Sequence, residues 1–164
     1  YQKFWENNPS QRTVEPYLLK EFKHRWYVVA MDTKINRVRT FALDRLTELE
    51  ISSKHFQIPI DFDTVKYFKH CFGIVTPNEG DKPEEVLLSF DKFQGKYIKS
   101  LPFHQSQTIV TDNDDELVIK LNIYITHDFV MEILSYGERV KVIKPLQLIN
   151  ELKTVYNTAL KQYK

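Results

Sequence analysis

Apolar positions along this chain fall into two regimes. From residue 14 to 53 they come in short runs broken by polar turns. Val14–Phe22 and residues 26–31, 38–46 and 47–52 read as strands, the spacing expected of a small barrel or sandwich. Lys23-His24-Arg25 and residues 32–37 supply turns. Residues 1–5 read as the stub of an earlier strand, turned by Asn7-Asn8-Pro9-Ser10. The run 26–31 is all aromatic, β-branched or apolar, so it is expected to be buried on both faces. If residues 38–46 alternate regularly, Arg39, Phe41, Leu43 and Arg45 share one face.

Residues 54–83 read as a connector. A helix is expected over 62–72, N-capped by Asp61, burying Val65, Phe68 and Phe72 at spacings of three and four, and ended by Gly73. The turn-rich run 76–83 marks the domain boundary. Beyond it the pattern becomes strand, helix, strand, strand, helix, strand, helix: strands at 86–90, 107–110, 117–125 and 140–143, helices at 91–100 and 129–136, and a long helix started by Pro145. That last helix is expected to bury Leu146, Ile149, Leu152, Tyr156 and Leu160. The βαββαβ order predicts a ferredoxin-like extension with an added C-terminal helix. The predicted organisation is an α+β chain, with a small β-barrel over 1–58, a helical connector and linker over 59–83, and the extension over 84–164.

Composition narrows the function classes. Charged residues make up 27% and hydrophobic ones 42% of 164 residues, a balance that fits a folded domain rather than a disordered tail. No apolar run approaches the roughly 18 residues of a spanning helix, so no membrane partner is expected. The single cysteine, Cys71, rules out an internal disulfide and fits a cytoplasmic setting. Its neighbours Tyr67, Phe68 and Phe72 mark it as a small core residue. Four scattered glycines leave no phosphate-cradling loop or nucleophile elbow. The five histidines pair with no ligand at a metal spacing. Asp112, Asp114, Asp115 and Glu116 lack the glycine and terminal glutamate of a calcium loop and read as a hairpin turn. No catalytic residue, metal or cofactor is expected, and the chain does not read as an enzyme.

Charge is uneven. Residues 1–45 hold nine Lys and Arg against five Asp and Glu, a net of +4; residues 46–164 hold fourteen against seventeen, a net of −3, giving the overall +1. Five of the six arginines lie in the first part. Arginine suits bidentate contact with phosphate or carboxylate, and exposed rings stack bases. The candidate site is therefore Arg12, Tyr17, Trp26, Tyr27, Arg39 and Arg45, able to hold a nucleic-acid strand or a small anionic ligand. A solvated basic surface, or arginines escaping at the sheet's end, explains the same residues without a ligand.

The run Arg12-Thr13-Val14-Glu15-Pro16-Tyr17-Leu18-Leu19, then Arg25-Trp26-Tyr27-Val28, then Arg39-Thr40-Phe41-Ala42-Leu43-Asp44-Arg45-Leu46 resembles the WYL domain family. Val28 stands where the family's triplet has leucine. Phe72-Gly73-Ile74 and Pro102-Phe103-His104-Gln105-Ser106-Gln107 look like the C-terminal extension that follows such domains in regulators of Bacteroidetes type. The resemblance implies an Sm-like, SH3-type barrel and a ferredoxin-like extension. It implies a bacterial transcription regulator whose winged helix-turn-helix reads DNA. That element is missing here, and the first strand is expected to be truncated at Tyr1. The barrel is implied to sense a single-stranded nucleic acid or nucleotide-like effector through the six residues above, with Asp44 orienting a neighbouring arginine. A homodimer is expected. The alternative is a ligand-free dimerisation scaffold.

Overall fold

The computed structural model describes residues 1–78 and 80–163; Glu79 of the expected linker and Lys164 at the end of the expected extension lie outside the described residues. The chain divides into two compact units, Tyr1–Tyr67 and Phe68–Lys164.

The first unit is an antiparallel sheet of β1 (Val14–Phe22), β2 (Arg25–Asp32) and β3 (Arg37–Ala42) in the order β1-β2-β3. Lys23 and His24 both take positive φ (49° and 63°) between the paired residues Phe22 and Arg25, as a two-residue hairpin turn matched to strand twist requires. Asp32 opens the next turn, its Oδ1 accepting from the Lys34 N–H at 3.1 Å. A bulge between Pro16 and Leu18 sets Tyr17 apart from the regular alternation.

Several expectations fail here for local reasons. The third strand stops at Ala42, opposite Tyr27, and Leu43–Arg45 is one turn of 3₁₀-helix. The face shared by Arg39 and Phe41 therefore does not continue to Leu43 and Arg45. Residues 47–52 are not a strand: Glu48 takes a left-handed φ of 51° and Leu49 and Ile51 are exposed. The opening residues turn at Phe4–Trp5. With neither flank extended, the described residues form no closed barrel. Of the run 26–31, Val29 and Ala30 are buried, but Trp26 is 53% exposed.

Helix α1 is short, Thr64–Phe68, and the division between the units falls within it. Asp63, not Asp61, caps it, with Oδ1 accepting from Val65 and Lys66 N–H at 2.8 and 3.1 Å. It ends before Gly73. Val65 is exposed, whereas Phe72 packs on Phe103 and Phe129 in the second unit, so the expected stripe is not one helix face.

The second unit holds β4 (Glu84–Asp91), α2 (Lys92–Ser100), β5 (Thr108–Asp112), β6 (Glu116–Ile123), α3 (His127–Ser135), β7 (Val140–Lys144) and α4 (Leu146–Leu160). Its sheet is antiparallel throughout, in the order β5-β6-β4-β7. Period-two alternation buries Val86, Leu88 and Phe90 of β4 and Leu117, Ile119, Leu121 and Ile123 of β6. Ile98, Phe129, Ile133 and Leu148 join the same core. Gly95 lets α2 approach β6, since a Cβ there would lie 2.8 Å from Leu117 Cβ. The acidic cluster is a hairpin turn, in which Asn113 Oδ1 accepts from the N–H of Asp115 and Glu116, both at 2.9 Å. Cys71 is buried. Pro145 sits at the N-cap of α4 rather than inside it, and the helix is rotated so that Leu148 and Leu152 face the core while Leu146 and Leu160 are exposed.

Asp128 ties the start of the second unit to α3. Buried at the first turn, its Oδ2 accepts from the N–H groups of Ile74 (2.9 Å) and Val75 (3.1 Å), and Oδ1 from Phe129 N–H (3.0 Å) and the Thr126 hydroxyl. Each bond to a charged acceptor in a buried setting is among the stronger kinds. Asp128→Ala should destabilise the chain by about 3 kcal/mol in denaturant unfolding, and Asp128→Asn, which keeps one acceptor oxygen, by less. Equal stability of Asp128→Ala and the parent would refute this account.

Candidate functional site

Pairing register sorts the six expected site residues onto different places. Residues opposite one another in an antiparallel pair share a face. Trp26, Val28, Ala30 and Asp32 of β2 therefore lie with Arg39 and Phe41 of β3 and Leu19 of β1. Tyr27 lies on the other face, opposite Lys20 and Ala42. Adjacent in sequence, Trp26 and Tyr27 cannot stack on one ligand.

Arg12 is held internally. Its Nη1 lies 3.2 Å from Asp32 Oδ2, and its Nε donates to Ser10 Oγ at 3.2 Å; the Asp32 side chain has no exposed surface. A cation that compensates a buried carboxylate is committed to the fold. Tyr17 is likewise engaged, packed on Phe62 (4.8 Å between ring centroids) and Phe56 (6.3 Å). Burial, with a smaller contribution from Glu15, pushes its hydroxyl pKa up.

Trp26, Arg39 and Arg45 are brought to the same side. Arg39 is exposed and has no carboxylate partner among the described residues. It stands opposite Ala30, four residues along β2 from Trp26, a separation of about 13 Å at about 3.3 Å per residue. Leu19 continues the exposed apolar surface beside Trp26. Arg45 reaches this side through the opening residues, since Tyr1 packs edge-on to Phe41 at 5.1 Å. The Arg45 guanidinium lies over both Tyr1 and Phe4, at 5.1 and 4.9 Å from the ring centroids. Gln2 N–H donates to the Arg45 carbonyl at 3.1 Å. Arg45 Nε is buried with no hydrogen-bond acceptor. A guanidinium's N–H groups lie in its plane, the geometry that meets a carboxylate or phosphate. Asp44 Oδ2 lies 3.4 Å from Arg25 Nη1.

Sequence reasoning missed Tyr1 and Phe4, which it placed in a strand stub. The available signal was the aromatic run at residues 1, 4 and 5 ahead of a turn. A second concavity, about 360 Å³ between α2 and the β5–β6 hairpin, is lined by Lys92, Lys96, Lys99, Asp112 and Asp114. Its Lys99–Asp112 (2.9 Å) and Lys92–Asp114 pairs balance charge internally.

Residues 1–51 match the family model of the WYL domain, and residues 82–159 that of the WCX domain. The chain carries a WYL domain followed by a WCX domain. The Trp26, Arg39 and Arg45 cluster thus lies wholly within the WYL match. Among curated proteins no sequence matches. Among solved structures the chain is similar to proteasome accessory factor B/C (PafBC) of Arthrobacter aurescens, with 24% identity and a TM-score of 0.37, over 90% of this chain and 22% of that one. The chain therefore spans about a fifth of that protein's length.

The two classes of arginine separate by mutation. Arg12→Ala strips the buried Asp32 of its counter-charge and should cost about 3 kcal/mol. Arg39→Ala, at an exposed and unpaired position, should change stability by no more than about 0.5 kcal/mol. Urea unfolding of both variants checks the assignment, and equal losses would overturn it.

Proposed function

We propose that this chain is the effector-sensing part of a WYL-type bacterial transcription regulator, taking a single-stranded nucleic acid or a nucleotide-like anion on the WYL sheet. The observation that carries the reading is Arg45, its guanidinium 5.1 and 4.9 Å from the ring centroids of Tyr1 and Phe4. Arg39 and the exposed Trp26 on the same side supply a further cation and a stacking surface. DNA recognition in this reading belongs to a separate helix-turn-helix element of the same regulator, and the chain acts in the cytoplasm. The strand order β5-β6-β4-β7 with interleaved helices supports a ferredoxin-like reading of the WCX part, with 59–83 as connector.

Fluorescence anisotropy with labelled DNA and RNA 12-mers, single-stranded and duplex, tests the proposal across a salt series. Single strands should bind more tightly than duplex. Removing one phosphate contact, by Arg39→Ala or by Arg45→Ala, should reduce the salt slope by about 0.7. Trp26→Ala should weaken binding by about tenfold or more, the loss of one stacked base. Binding that is unchanged in an Arg39→Ala, Arg45→Ala double variant would sink the assignment of this face.

One observation favours the scaffold reading. Along α4, Leu148 and Leu152 are buried, but the seam runs on through Val155, Tyr156 and Leu160, which are exposed. If this seam carries a homodimer contact, Leu160→Asp should shift sedimentation from dimer to monomer without unfolding the chain. A parent that stays monomeric at high concentration disposes of the scaffold.

A further inference from the structure

The motif Pro102-Phe103-His104-Gln105-Ser106-Gln107 is not used by the proposed effector site, yet its polar side chains are engaged. Gln107 closes the loop on itself: its Oε1 accepts from Phe103 N–H at 2.9 Å and its Nε2 donates to the Ile98 carbonyl at 3.2 Å. The other three side chains face outward from the loop onto two neighbours, the segment at residues 69–70 and the end of β6. Gln105 Nε2 donates to the Lys69 carbonyl at 3.0 Å. Ser106 Oγ accepts from Asn122 N–H at 3.0 Å and lies 3.3 Å from the Asn122 carbonyl. His70 Nδ1 lies 3.1 Å from that same carbonyl, and Tyr124 N–H donates to the His70 carbonyl at 2.8 Å. Loop, segment and strand end are thus held by one polar knot.

His104 is the member whose chemistry can change. Its Nδ1 accepts from the Ser106 N–H at 3.1 Å and lies 2.8 Å from Ser106 Oγ. Only a ring with a lone pair on Nδ1 can accept from an N–H. A proton there turns the acceptor into a donor. It can be directed at Ser106 Oγ, but the Ser106 N–H then loses its partner. Losing it disturbs the residue that bridges the loop to Asn122.

We propose that the His104–Ser106 turn is an acid-sensitive latch, closed while the ring is neutral, that pins residues 69–70 to the end of β6. The titratable group facing the ring is His70, on the segment packed against the loop, where Lys69 offers its backbone carbonyl; β6 offers the neutral Asn122 backbone to Ser106. Burial is the main influence lowering the His104 pKa from its ordinary value, His70 adds to it, and the Lys69 backbone carbonyl opposes both. The sign follows: the unfolded or opened ring takes up a proton at a higher pH than the closed one. The latch is therefore fully closed above about pH 6.5, the ordinary histidine value, and weakens as pH falls below it.

Amide hydrogen exchange on the whole chain, at pH 7.5 and 5.5 and corrected for intrinsic rates, tests this. Protection at Ser106 and Tyr124 should fall at the lower pH, by at most about tenfold, with Ile119 in the central strand as the unaffected reference. His104→Asn places a non-titrating oxygen near the Nδ1 position, so its protection should be the same at both pH values. Should that variant fail to fold, the ring carbon shifts of the parent give the second measurement. They should show a midpoint below 6.5, with Ser106 protection lost between pH 6.5 and that midpoint. Unchanged protection in the parent, a midpoint at or above 6.5, or the same fall surviving in His104→Asn (which would move the effect to His70) overturns the latch.

Discussion

The Arg45 guanidinium lies over the rings of Tyr1 and Phe4, and on the proposed function this contact sets where the front unit takes a negative charge. A guanidinium is planar. Its N–H groups all point outward in that plane. On the proposed function, its accessible N–H groups favour anions with in-plane acceptors over a ligand that offers only apolar surface. The stack also explains the role of the opening residues. They add no strand to the sheet; they bring Tyr1 onto Phe41 and hold the Arg45 side chain on that side.

The second unit solves a different problem, how to hold irregular chain against a regular core. Residues 69–75 have no sheet partner, so their backbone groups must be satisfied by other means. Asp128 takes the N–H groups of Ile74 and Val75, Gln105 takes the carbonyl of Lys69, and Tyr124 takes that of His70. Three separate elements thus contribute side-chain or backbone groups to one short stretch. Phe72, packed between Phe103 and Phe129, adds the apolar counterpart.

What could be read from the residues differs between the units. In the second, Leu117, Ile119, Leu121 and Ile123 alternate over a full strand and Asp91 caps α2 by accepting from Gln94 N–H at 2.7 Å, so strand and helix positions were visible within a residue or two. In the first, the period-two signal of residues 38–46 was misleading past Ala42, because alternation of apolar and polar side chains says nothing about whether a partner strand is still alongside. The β2 partner had run out at Tyr27. The site suffered from the same gap. Arg12, Arg39 and Arg45 are alike as letters, and only the fold decides that one faces the buried Asp32, one faces solvent, and one faces two rings. Long-range pairing of this kind leaves no local trace in sequence.

These different fates bear on the size of the ligand. Arg12 already has its counter-charge, so Arg39 and Arg45 are the candidate arginines that remain. Arg39 stands about 13 Å along the strand direction from the level of Trp26, and Arg45 lies past the end of β3, at the Trp26 side. Within the proposed function, a chain of phosphates that engages Arg39 lays its bases over the exposed Trp26 and Leu19 on the same face. Extended polyanions also gain most from cations spread along a line, because each phosphate neutralised releases its own counterions. Within the proposed function, an exposed cation and an exposed ring about 13 Å apart along one strand direction therefore favour a strand over a mononucleotide.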